Sequence, residues 1–141
     1  MLIDGVCTLV GQVAGRALIV HAFDGSRIGC AILGAATQLT LTAAGFVPYF
    51  SYVGALAVSG SVGPMTTSGT TQSFYYSLSG VDPLCASGAG SAGNSCGIHI
   101  HSGSSCVANA GGHFFTGSVT SDPWTSVAYT SDSSGRTSGS A

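Results

Sequence analysis

The chain has no lysine and no glutamate; its cations are Arg16, Arg27 and Arg136, set against five aspartates. Only 6% of its 141 residues are charged, and the formal net charge is −2. Binding nucleic acid requires a basic stripe to neutralise phosphates, and none is present. A polybasic anchor to a membrane surface is excluded for the same reason. The sequence also lacks an Asn-x-Ser/Thr sequon, so N-glycosylation is not expected. Met1 is not followed by a basic region and an apolar core, so no signal peptide is expected. No window offers a capped amphipathic helix. Residues 29 to 81 carry no charge, and 31 to 60 are apolar enough to suggest a membrane span. Gln38, Thr40, Thr42, Gly45, Pro48, Ser51 and Ser59 interrupt that stretch and argue against one.

What the chain does contain is Ser, Thr and Gly, which supply the polar surface that charge does not. Such a surface is common in secreted, O-glycosylated or self-assembling chains. Five cysteines in a chain of this size favour an oxidising compartment, extracellular or at the cell surface. A secreted composition without a signal suggests a mature chain, a repeat cut from a larger protein, or an incomplete sequence. The length suits one domain with a modest core.

Strand signals dominate. Ala17 to Val20 is a short apolar run rich in branched residues; Gln38 to Thr42, Ser73 to Leu78 and parts of Tyr49 to Val62 alternate with period two. Asp24-Gly25, Gly63-Pro64, Ser79-Gly80, Asp122-Pro123 and Ser134-Gly135 mark turns. Residues 86 to 94 are loop material between two cysteines, and the tail from Ser131 reads as flexible or as an edge strand. The fold class is all-β, an antiparallel sandwich or barrel. Phe46, Tyr49, Phe50, Tyr52, Phe74, Tyr75 and Tyr76 read first as sheet packing. They also admit a sugar- or cell-surface-binding face.

The four histidines carry the chemical signal. His99-Ile100-His101 puts two imidazoles on one face of a strand, because residues two apart point the same way. Ile98 and Ile100 then face the core. His113 follows a glycine-rich connection, and His21 closes the apolar run Ala17 to Val20. Imidazole ligands suit copper and zinc.

The flanking residues resemble those of the copper–zinc superoxide dismutase family. Cys96-Gly97-Ile98-His99-Ile100-His101 is similar to its Gly-Phe-His-Val-His signature, and Gly111-Gly112-His113-Phe114 to its Gly-Pro-His-Phe. Gly15-Arg16-Ala17-Leu18-Ile19-Val20-His21 resembles its Gly-Arg-x-Leu-Val-Val-His, and Gly25-Ser26-Arg27-Ile28-Gly29-Cys30 its Gly-Ser-Arg-Leu-Ala-Cys. Leu78 to Val81 and the stretch from Asp122-Pro123-Trp124 to Gly135 are similar to further connections of the family. Together the matches span about half the chain.

The resemblance implies a Greek-key barrel with His21, His99, His101 and His113 as copper ligands. It also implies Arg27 as the residue that guides the anion, and His113 as the imidazole that releases and rebinds copper. Arg27 is equally readable as a hydrogen-bond clamp on a loop. Cys30 and Cys106 match the family disulfide. Cys85 and Cys96 flank a local loop and can pair; Cys96 with Cys106 is an alternative. Cys7 is left over, a candidate for an interchain bond.

Three departures qualify the resemblance. The family's C-terminal strands lie here at residues 1–34, ahead of its N-terminal strands and metal loop at 35–141. Either the barrel is permuted, or residues 1–34 complete a neighbouring unit, a tandem repeat or a second copy. The interval from His113 to Asp122 holds no other histidine, so a zinc site is not expected. The short interval from His21 to Arg27 leaves no room for a charged guiding loop. The last two departures are similar to the copper-only branch. The implied function is an extracellular copper-binding dismutase-like domain acting on superoxide, a repeat or subunit of a larger assembly. The alternative is a structural subunit of a strand-exchanged fibre with no catalytic role.

Overall fold

A computed structural model describes residues 12–35, 40–69 and 71–141. Eight strands dominate it: β1 Ala17–His21, β2 Arg27–Ala35, β3 Leu41–Ala44, β4 Val47–Pro48, β5 Ser59–Ser68, β6 Thr71–Ser79, β7 Ile98–Ile100 and β8 Arg136–Ser140. Two single turns of 3-10 helix, Pro83–Ser87 and Pro123–Ser126, interrupt the connections. The strands are antiparallel in the order β7-β1-β2-β3-β5-β6-β8, with β4 also paired to β2.

The sheet curls as β2 changes partners along its length, with β4 also paired at Gly29 and Cys30. The first half of β2, Arg27 to Ile32, pairs with β1; Leu33 to Ala35 pair with β3. A register shift at Val20/His21 adds to the bend there. The ends of the sheet are joined by one passage of chain. Residues 127 to 129 run beside 96 to 98, with Gly97 bridged to Ala128 and the Tyr129 N–H donating to Cys96 O at 2.9 Å. The same passage turns at Asp132–Gly135 and continues as β8, which pairs with β6. The result is a curled half-barrel.

All five residues of β1 are buried. A strand buried on both faces reads as a continuous apolar run, which is why Ala17 to Val20 lacks alternation. Leu18 and Val20 join the main core with Ile28, Leu33, Ile98 and Ile100. Ala17 and Ile19, on the opposite face, belong to a smaller cluster with Cys30, Tyr49 and Ala110. Each fully buried Leu or Ile contributes about 1.5–3 kcal/mol, so the β1–β7 ladder is among the best anchored parts of the fold.

The Gly63-Pro64 turn is corrected, and Tyr49 to Val62 is strand only in its last part. The Ser73–Leu78 alternation lies within β6, and the tail supplies an edge strand. Residues 36–39 fall outside the described part; the run continues from there as β3. Tyr49 to Tyr52 is a turn, closed by the Tyr52 N–H on Tyr49 O, and only from Ser59 does that region become strand. Tyr49 and Tyr52 pack this loop against the sheet, and Phe50 is exposed. Gly63-Pro64 is not a turn but lies inside β5. The β5–β6 register shifts between Val62 and Met65, so the proline needs no N–H in the ladder at that point. The segment before residue 35 contributes β1 and most of β2 to the same sheet as the rest of the chain.

Candidate metal centre

Two strands and one loop bring the histidines together. His21 ends β1; His99 lies in β7 opposite Ile19; His101 forms an isolated bridge with His113. Ile98 and Ile100 face the main core, which turns His99 and His101 to the other side of the sheet. Candidate nitrogens of all four residues lie within 4.8 Å of one another. His21, His99 and His101 are at most 1% exposed. The His113 side chain, at 10%, is the one through which the cluster reaches solvent.

Each ring has one nitrogen tied to a fixed acceptor. His21 Nδ1–H donates to Gly25 O at 2.9 Å, and His101 Nδ1–H to Gly111 O at 2.8 Å. His99 Nε2–H donates to Val127 O at 2.8 Å. His113 Nδ1–H donates to Asp122 Oδ2 at 2.6 Å. Backbone carbonyls and carboxylates cannot donate, so these bonds set the tautomers. The nitrogens left over are His21 Nε2, His99 Nδ1, His101 Nε2 and His113 Nε2, each bearing a lone pair. His21 Nε2 and His101 Nε2 face one another at 3.4 Å with no proton between them in the neutral rings. His99 Nδ1 and His113 Nε2 are buried with no hydrogen-bond partner. A buried polar atom without a partner costs free energy. A group of four rings this close could hold one metal ion, which would give such atoms a partner.

Electrostatics favours the neutral, ligating form. Burial pushes His21 and His101 down to about 4 and His99 to about 3, from an ordinary value of 6.5. The neighbouring imidazoles lower all three further, and the Arg27 guanidinium lowers His21 and His101. Asp122 is held below the usual carboxylate range: burial opposes its charge, but the Trp124 N–H and His113 outweigh that.

Small residues make room for the rings. A Cβ on Gly97 would clash with the His99 ring at Cε1, so the residue before the His-x-His strand must be glycine for that ring to lie where it does. Trp124 packs 6.0 Å from the His99 ring and its indole N–H donates to Phe114 O at 2.7 Å, walling the site on that side.

Arg27 stands beside the cluster. Its Nη2 donates to Gly111 O at 2.6 Å, the same carbonyl that holds His101. It also lines an open concavity of about 550 Å³ with Ser26, Tyr49, Phe50, Tyr52 and Asn109, to which none of the histidines contributes. The disulfides are Cys30–Cys106 and Cys85–Cys96; the Cys96–Cys106 alternative is not formed. The first ties β2 to the loop between His101 and His113. Cys7 lies outside the described residues. Two disulfides point to an oxidising environment, and no helix among the described residues is long and apolar enough to cross a membrane.

Sequence reasoning did not assign the hydrogen-bonding partners. Gly25 O, Gly111 O and Val127 O are main-chain atoms with no side-chain signature. Sequence reading places Asp122 at a turn and in a family-like connection, and Tyr49 in sheet packing or a binding face, with neither assigned as a hydrogen-bond partner of the site. Comparisons with protein-family models, with curated proteins and with solved structures each return no match.

Proposed function

We propose that the chain is an extracellular copper-binding domain of the copper-only superoxide dismutase type, with His21, His99, His101 and His113 as ligands. The observation that carries this reading is a buried group of four histidines, each offering a ring nitrogen within 4.8 Å of the others', with one nitrogen of every ring hydrogen-bonded to a fixed acceptor. An all-imidazole set suits copper, and the motif resemblance selects it over the other metals that imidazole accepts. Bound copper would supply one-electron redox chemistry, by which two superoxide anions and two protons become dioxygen and hydrogen peroxide.

The residues have separable tasks. Arg27 attracts and orients the small anion, since a cation beside a concave surface focuses the field. Asp122 holds the His113 proton at Nδ1, leaving Nε2 toward the cluster and no second ring nitrogen for zinc. The three buried imidazoles remain neutral donors well below neutral pH.

Metal analysis after copper reconstitution, paired with His99→Ala, tests the reading. We expect about one copper per chain and superoxide-consuming activity, both lost in His99→Ala while the fold persists. A reconstituted protein without copper, or activity unchanged by His99→Ala, would overturn it.

A second reading is a subunit of a strand-exchanged fibre, with copies of the chain or tandem repeats as partners. It is favoured by β8, which has one strand partner, β6, among the described residues. A monomer on non-reducing gels and by electron microscopy would rule against it.

A further inference from the structure

We propose that Tyr49 and Asn109 are positioning residues that hold the Arg27 guanidinium between the concavity and the metal centre. The inference rests on the reading of Arg27 as the anion-attracting group. Tyr49 is 4% exposed, in the turn after β4, and belongs to the small cluster with Cys30 and Ala110, against which Cys106 packs. Its hydroxyl accepts from Arg27 Nη1 at 2.8 Å and from the Ala110 N–H at 3.1 Å, and donates to Asn109 Oδ1 at 3.3 Å. A phenol has one donor and two acceptor sites, so its capacity is filled and its direction determined. Asn109 Oδ1 in turn accepts from Arg27 Nη1 at 3.2 Å and from the Gly111 N–H at 2.9 Å.

The consequence is a closed frame. Arg27 spans from the Tyr49 and Asn109 side chains to Gly111 O, and Gly111 O also takes His101 Nδ1–H. Three of the five guanidinium N–H groups are thereby engaged with protein. The others remain for an incoming anion. A guanidinium held on both nitrogens loses little rotamer freedom when it meets its ligand, so orientation raises affinity. The hydroxyl of Tyr49 thus acts through Arg27, with no direct contact to the histidines.

Two readouts test this. With three arginines in the chain, the side-chain N–H resonances of Arg27 are assignable in metal-free protein by comparison with Arg27→Lys. In the wild type they should be resolved and slowly rotating. In Tyr49→Phe they should collapse toward an averaged signal, while those of Arg16 and Arg136 stay unchanged. Unchanged Arg27 resonances would overturn the proposal. Should Tyr49→Phe not fold, Asn109→Ala, at an exposed position, carries the same test. In copper-loaded protein, Tyr49→Phe should weaken binding of azide, used as the probe anion, by about fivefold. In an Arg27→Ala background the same change should cost less than twofold. An equal loss in both backgrounds would show that Tyr49 acts by another route. Absence of copper binding in the wild type would sink the proposed function, yet the resonances would still decide this inference.

Discussion

The two faces of β7 differ by one residue in sequence and by an entire physical problem in the fold. Ile98 and Ile100 enter the main core, where the requirement is volume and shape. His99, between them, is equally buried but polar, so each of its nitrogens needs a partner. Its Nε2 finds Val127 O; its Nδ1 finds nothing in the protein. The isoleucine face is complete with the chain alone. The histidine face leaves His99 Nδ1 and His113 Nε2 without a partner in the chain, in a group of four rings that could hold a metal ion.

Three measurements sharpen that contrast. The largest effect should come from acid acting on the metal-free protein. The unfolded chain takes up protons near 6.5, whereas the folded chain resists them until about 4 at His21 and His101 and about 3 at His99. The unfolded state therefore binds more protons across this window, and stability falls as pH drops from 6.5 toward 3. The depressed carboxyls of Asp24, Asp122 and Asp132 add their loss only near and below their ordinary 3.8. Denaturant titrations should show most of the histidine loss between pH 6.5 and 4. A flat profile there would mean that the rings are not buried as described.

A middle effect is expected from the opposite face. Ile100→Ala should destabilise the fold by about 2–5 kcal/mol, through lost transfer energy and the cavity left behind. Copper affinity per folded molecule should remain within about threefold, since the side chain points away from the ligands. A loss of copper equal to that of His99→Ala would show that the two faces are not separable.

The smallest effect belongs to the hydrogen-bonded frame around the ligands. Asp122→Asn keeps a capping oxygen for the Trp124 N–H but removes the charge behind His113. Copper affinity should fall by about 10- to 100-fold, measured by competition with a chelator. A change below twofold would leave Asp122 as a helix cap alone.

Legibility followed the range over which each signal acts. The β1 run, the alternation in β6 and the His-x-His spacing are local periodicities, readable because side-chain direction alternates along any strand. The Tyr49–Tyr52 region folds as a turn, in which Tyr49 and Tyr52 pack onto the cluster that holds Cys30 while Phe50 stays exposed. Gly63-Pro64 carried a turn signal, yet the register shift in β5 accommodates a residue without an N–H inside a strand. The cysteine alternatives were settled by proximity: Cys85 and Cys96 close a short loop, while Cys30 and Cys106 meet across 76 residues.

The chain alone determined the β class, the identity of the four imidazoles and the oxidising setting, because composition and period-two spacing are properties of adjacent residues. The tertiary structure alone decided which nitrogen of each ring is hydrogen-bonded, which disulfides form, and that Tyr49 and Asn109 meet Arg27 while Asp122 meets His113. Those outcomes depend on main-chain carbonyls and on residues brought together from distant parts of the sequence. A carbonyl leaves no letter in a sequence, and its direction exists only once the sheet has curled.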